Sequence, residues 1–191
     1  MMSAKSTLPN MFLTLLLVTV VSAVSLGFIY KLTEEPIKAA KIARQVKAIK
    51  SVLPAFDNDP LTEAQSILAG ADSLTIYPGK NQGEKVGSAV KTYTDKGYSG
   101  RIWIMVGIDI EGNIHNIQVL EHKETPGLGS KLSDDAYVDQ YIGYNPSSKD
   151  FNVTKDGGEI DAISGATISS KAFTEAVILA FDHIKPDNNV Q

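Results

Sequence analysis

The chain has 191 residues, 43% hydrophobic and 21% charged, enough for one packed domain with accessory segments. Its formal net charge of −4 argues against a nucleic-acid partner. The absence of cysteine removes disulfides, iron–sulfur clusters, cysteine nucleophiles and cysteine-linked cofactors together. The three histidines, His115, His122 and His183, are too far apart for a metal motif and read as surface or strand residues.

Residues 1–10 form a short polar start. From Met11 to Tyr30 there is no charged residue, and Leu, Val, Phe and Ile dominate. That is about the ~20 residues a helix needs to cross a bilayer, with Pro9 at the entry and Tyr30-Lys31 at an interfacial exit. A cleavable signal peptide is the alternative, because Val21-Ser22-Ala23 and Ser22-Ala23-Val24-Ser25 offer small residues for cleavage. The apolar run continues through Leu26-Gly27-Phe28-Ile29-Tyr30, which favours a retained anchor. Lys31, Lys38, Lys41, Arg44, Lys47 and Lys50 follow the span, so local charge counting would keep the remainder cytoplasmic; long domains, however, translocate largely regardless of charge.

Thr33-Glu34-Glu35-Pro36 reads as the N-cap and acidic first turn of a stalk helix running to about Leu53, with Ile37, Ala40, Ile42, Val46, Ile49 and Val52 on one face. Pro54 ends it, and a connector with a helical piece near 62–68 follows. From Ser73 to Glu121 the period changes to two. Leu74, Ile76, Val86, Ala89, Val90 and Tyr93 mark the first strands, and Gly97-Tyr98-Ser99-Gly100 marks a turn. Ile102, Ile104, Val106 and Ile108 alternate with Trp103, Met105 and Gly107, a strand buried on both faces. The turn Glu111-Gly112-Asn113 then predicts an antiparallel hairpin of 101–109 with 113–121.

Glu124-Thr125-Pro126-Gly127-Leu128-Gly129 is a rigid loop whose backbone can approach something flat, or an ordinary turn. Residues 131–144 predict a helix with Ala136, Tyr137 and Tyr141 inward; 151–153 predict a short strand; Pro186–Gln191 predict a frayed tail. The densest signal is Asp161-Ala162-Ile163-Ser164-Gly165-Ala166-Thr167-Ile168-Ser169-Ser170. It tightens at Ser164-Gly165-Ala166 and opens a helix from about Ile168 to Ile184, on which Phe173, Ala176, Val177, Ala180, Phe181 and Ile184 recur at helical spacing. Thr167 therefore sits at a helix N-terminus, where unpaired N–H groups and the dipole favour an anion such as phosphate. The plainer alternative is that Ser164 or Thr167 simply caps the helix.

Asp161-x-x-Ser164-Gly165-Ala166-Thr167 resembles the signature at which a flavin transferase attaches FMN to threonine through a phosphoester. Together with Gly97-Tyr98-Ser99-Gly100-Arg101-Ile102 and Glu121-His122-Lys123-Glu124-Thr125-Pro126-Gly127-Leu128-Gly129, and with the single anchor, it makes the chain resemble the G subunit of the Rnf ion-pumping ferredoxin:NAD oxidoreductase. The C subunit of the sodium-pumping NADH:quinone reductase is a related but generally longer alternative.

The resemblance implies that Thr167 carries FMN covalently, with Ser164, Gly165 and Ala166 lining its phosphate. The Glu124–Gly129 loop, Glu124, Thr125, Gly127 and Leu128 foremost, would pack on the ring, Tyr98 and Ser99 would lie near it, and Asp161 would be an acidic contact for transferase recognition or for a metal during attachment. Glu124 would place its carboxylate at the ring's polar edge or cap a backbone N–H in the loop. No catalytic residue and no metal site is expected. The fold class implied is α+β, a mostly antiparallel sheet with packed helices behind one transmembrane helix. The expected domains are 1–10 as a cytoplasmic stub, 11–30 as the span, 31–72 as stalk and connector, and 73–191 as the FMN-binding domain outside the cytoplasm. The chain would be an electron-transfer subunit that does not use NADH by itself, partnered by other membrane subunits and, during maturation, by a flavin transferase. A stand-alone extracytoplasmic FMN reductase and a non-redox membrane-anchored scaffold remain the competing classes.

Overall fold

The computed structural model describes residues 7–70 and 72–184, so the tail predicted over 186–191 lies outside the described residues. The chain divides into two compact units, residues 1–43 and 44–191.

The first unit is helical. Helix α1 (Leu8–Val52) starts in it, and over residues 8–43 its apolar side chains, Phe12, Leu15, Val18, Phe28 and Ile29 among them, are exposed. The helix is long and apolar enough to cross a membrane. The expected break at Thr33 is absent. Thr33 Oγ1 donates to the carbonyls of Ile29 (2.8 Å) and Tyr30 instead of capping a new helix, and Pro36 falls inside α1. Proline deletes one intrahelical bond; helix propagation on both sides of it outweighs that loss.

In the second unit a five-stranded antiparallel meander runs β1 (Gln65–Ala69), β2 (Asp72–Asn81), β3 (Glu84–Gly97), β4 (Gly100–Asp109) and β5 (Ile114–Glu121), with spatial order equal to chain order. The fold is thus α+β, as expected. The alternation along β4 explains its central place. Ile102, Ile104, Val106 and Ile108 bury against Phe173, Ala176, Val177 and Ala180 of helix α3 (Thr167–Asp182). Met105, on the opposite face, packs with Tyr77 and Ala89 against Ala48, Ile49, Val52 and Leu53 at the end of α1. Gly107 permits that second contact: a Cβ there would lie 1.7 Å from the Val52 carbonyl oxygen.

Three local expectations are corrected. The segment expected to be helical near 62–68 supplies β1, whose Ile67 and Leu68 lie on an edge strand paired to β2. The expected helix over 131–144 is a 3₁₀ turn (Gly129–Ser133) and a four-residue helix, α2 (Asp135–Val138), because Asp134 is extended between them and Gly143 takes φ +77° beyond. Tyr137 and Tyr141 do face inward, but Ala136 is exposed and Val138 is buried in its place. The Tyr137 and Tyr141 hydroxyls lie 3.0 Å apart, and Tyr141 reaches Thr174 Oγ1 at 2.9 Å; burial pushes both phenols above their usual pKa. Residues 151–153 form no strand, only a parallel bridge from Val153 to Ile160.

Gly107→Val is expected to lower the stability of the 44–191 unit by about 1–3 kcal/mol, the usual cost of overpacking a filled interior. Gly27→Ala, which meets nothing within 4 Å, should leave it unchanged. Thermal unfolding of the two full-length variants followed by near-ultraviolet circular dichroism makes the comparison.

Candidate functional site

Helix α3 begins at Thr167, one residue earlier than expected, because Gly165 takes φ +75° and reverses the chain just before it. Ser170 laces this turn to the helix: its Oγ accepts the Ile163 N–H and donates to the Ala166 carbonyl, each at 3.0 Å. The N-cap position is Ala166, and no side chain caps the helix there. The capping alternative for Ser164 and Thr167 therefore has no hydrogen bond behind it. The first-turn N–H groups have no intrahelical acceptor, and Thr167, Ile168 and Ser169 stand on the wall of a cleft of about 590 Å³.

The opposite wall is the loop after β5. Leu128 and Ser130 donate their N–H groups to the Thr125 carbonyl, and Gly127, at φ +77°, donates to Ser130 Oγ. This tight turn holds Leu128 out into the cleft, 43% exposed. A Cβ on Gly165 would lie 3.2 Å from Leu128 Cδ2, so the small residue lets Leu128 sit close over this turn. Tyr98, 70% exposed on the β3–β4 turn, closes a third side.

Glu124 joins these walls. Its side chain is buried, 5% exposed. One oxygen accepts the Ser99 N–H at 3.0 Å, and the other accepts the Ser169 hydroxyl at 2.6 Å. Two glycines make room for it: a Cβ on Gly97 or Gly129 would lie 2.8 or 2.7 Å from its carboxylate oxygens. Glu124 does accept a backbone N–H, but the donor is Ser99 of the β3–β4 turn and not a residue of its own loop. His122, read from sequence as a surface or strand residue, accepts the Glu124 N–H on Nδ1 at 3.1 Å.

Lys155 completes the cleft. It sits on a short 3₁₀ turn (Thr154–Asp156) and donates from Nζ to Thr167 Oγ1 at 3.2 Å. Of the residues expected at the site, Tyr98, Glu124, Thr125, Leu128, Gly165, Ala166 and Thr167 line the cleft. Ser99, Gly127 and Ser164 are placed on the turns that shape it and do not line it. Asp161 stands outside, exposed, its backbone held by the Gln140 side chain at 2.7 and 3.3 Å. Gly129, the end of the loop expected to wall the site, lines the cleft as well, and Lys155, Ile168 and Ser169 line it beyond the expected set; Ser169 stands inside the motif, and nothing in the sequence marks Lys155.

These walls lie within residues 97–182, which match the family described as FMN-binding domain. Over 185 residues the chain is 31% identical to the G subunit of the ion-translocating oxidoreductase complex of Methanosarcina acetivorans, covering 96% of this chain and 97% of the relative. The chain belongs to the family of these G subunits. Its Aliivibrio fischeri counterpart is 30% identical over 90% of this chain and 88% of its own, and that of Yersinia pestis 35% over 76% and 75%. A crystal structure of Shewanella oneidensis NqrC aligns with a TM-score of 0.43 at 21% identity, covering 68% of this chain and 75% of that chain.

The cleft fits an FMN-sized group. Its volume is in the range of ligand sites, the apolar Leu128 and Ile168 face it, and a helix N-terminus with an ammonium beside it suits a phosphate. Glu124→Gln removes the charge and presents a donor toward one of two existing donors. It is expected to cost about 1–3 kcal/mol in urea unfolding and to speed hydrogen exchange at the Ser99 amide, while distant sheet amides keep their protection.

Proposed function

We propose that this chain holds FMN as a phosphoester on Thr167 and relays electrons between membrane neighbours of an Rnf-type ion-pumping ferredoxin:NAD oxidoreductase. The observation that carries the reading is the position of the Thr167 hydroxyl, on the first residue of α3, in the cleft, and within reach of Lys155. The names of the relatives and the FMN-binding domain match support it. FMN, when bound, supplies exchange of one or two electrons.

The chain's own residues do the rest. Thr167 provides the oxygen of the ester, and the N-terminal N–H groups of α3 favour the phosphate's charge. Leu128 covers one face of the site and excludes water from it. Glu124 keeps the loop, the β3–β4 turn and α3 in register. A covalent tether retains a cofactor that would otherwise be diluted outside the cytoplasm. The sheet is an antiparallel meander rather than a parallel βαβ unit, so the reading assigns nicotinamide chemistry to a different component of the complex. The C subunit of a quinone reductase is the second reading, and the relatives from ion-translocating oxidoreductase complexes favour the first.

In this reading residues 11–30 span the membrane, residues 1–10 remain cytoplasmic, and the 44–191 unit, including the 73–191 segment, lies outside. A flavin transferase acts on the exported domain, with Asp161, exposed beside the motif, available for its recognition.

Thr167→Ala should fold normally yet lack in-gel flavin fluorescence and the mass of one FMN less water, both present in the parent co-expressed with a flavin transferase. Retention of that mass would place the linkage on another residue. Independently, protease added to intact spheroplasts should digest the chain beyond about residue 31; full protection would assign the domain to the cytoplasm.

A further inference from the structure

Lys155 is the one cation lining the cleft among the described residues, and its surroundings differ from those of its neighbour. Lys171, one turn after Thr167 on α3, is paired with Asp156 at 2.7 Å. Lys155 has no carboxylate partner among the described residues; its Nζ turns to Thr167 Oγ1 at 3.2 Å. The backbone beneath it is constrained. Gly157 takes φ +88°, a Cβ on Gly158 would lie 2.1 Å from the Asn152 carbonyl oxygen, and Val153 bridges to Ile160. A built segment thus delivers an uncompensated ammonium to the hydroxyl, beside a helix N-terminus that already favours negative charge.

We infer that Lys155 is a catalytic residue of the attachment step and the phosphate-recognising cation of the finished site, an inference that rests on the proposed FMN ester at Thr167. In that step Thr167 Oγ forms a bond to the flavin-side phosphorus of flavin adenine dinucleotide. The pyrophosphate P–O bond breaks, and its electron pair leaves on adenosine monophosphate. The hydroxyl proton passes to a base of the transferase or to water, and nothing is oxidised or reduced. The Lys155 N–H stabilises the threonine oxygen as it loses that proton. The same charge then faces the phosphodiester, whose single negative charge it offsets through a charge-assisted hydrogen bond.

The test uses the full-length chain in detergent with a flavin transferase and flavin adenine dinucleotide, following intact mass with time. Lys155→Met should slow FMN attachment roughly tenfold or more, while Lys155→Arg, which keeps the charge, should recover most of the rate. In a second arm, Thr167→Val chains with and without Lys155→Met are titrated with FMN and with riboflavin, which lacks the phosphate. Lys155→Met should weaken FMN about tenfold and leave riboflavin unchanged. A parental attachment rate in Lys155→Met, or equal weakening of both flavins, overturns the assignment. A parent chain that carries no FMN at Thr167 overturns the underlying reading, and this one with it.

Discussion

The buried carboxylate of Glu124 is the constraint on which the site depends. It accepts one hydrogen bond from the turn between β3 and β4 and one from the first turn of α3, and it stands at the start of the loop that forms the wall opposite α3. Three segments separated by tens of residues are thereby held to one geometry. A carboxylate removed from water is costly unless each oxygen has a donor. Here each oxygen has one, supplied by a backbone N–H and a serine hydroxyl rather than by a cation. The packing is tight enough that Gly97 and Gly129 have no room for a Cβ beside it.

The sheet makes this precision possible. β4 is covered on one face by α3 and on the other by the last turns of α1. The strand that follows the 98–99 turn and the helix that starts at Thr167 are therefore parts of one close-packed interior. Such interiors transmit displacement instead of absorbing it. The long helix α1, apolar and exposed over most of its length, contributes Ala48, Ile49 and Val52 to the domain core.

Electrostatics in the cleft is arranged by local pairing. Asp156 takes Lys171, Glu124 takes Ser99 and Ser169, and Lys155 is left to the threonine hydroxyl. Helix polarity and this ammonium act in the same direction at the same oxygen. The absence of a side-chain cap on α3 belongs to the same arrangement: a helix end capped by its own side chain would have fewer free N–H groups to offer a phosphate.

The sequence by itself determined the elements whose signals are local. Period-two alternation located β4 and its hairpin with β5, helical spacing after Ser164-Gly165-Ala166 located α3, and the uncharged stretch from Met11 to Tyr30 marked the apolar helix. Thr167, Leu128 and Glu124 were legible for the same reason, since they stand in short contiguous motifs. Tertiary structure decided what depended on partners distant in sequence. β1 is a strand because β2 pairs with it, not because of its own pattern. Residues 131–144 do not continue as one helix because Asp134 adopts an extended conformation. Glu124 turns to Ser99 and Ser169 instead of standing free in the cleft, and Lys155 enters the site from a turn twelve residues before Thr167, with no periodicity or motif to announce it. Local patterning specifies which residues form an element; only the packing of those elements specifies which side chains meet.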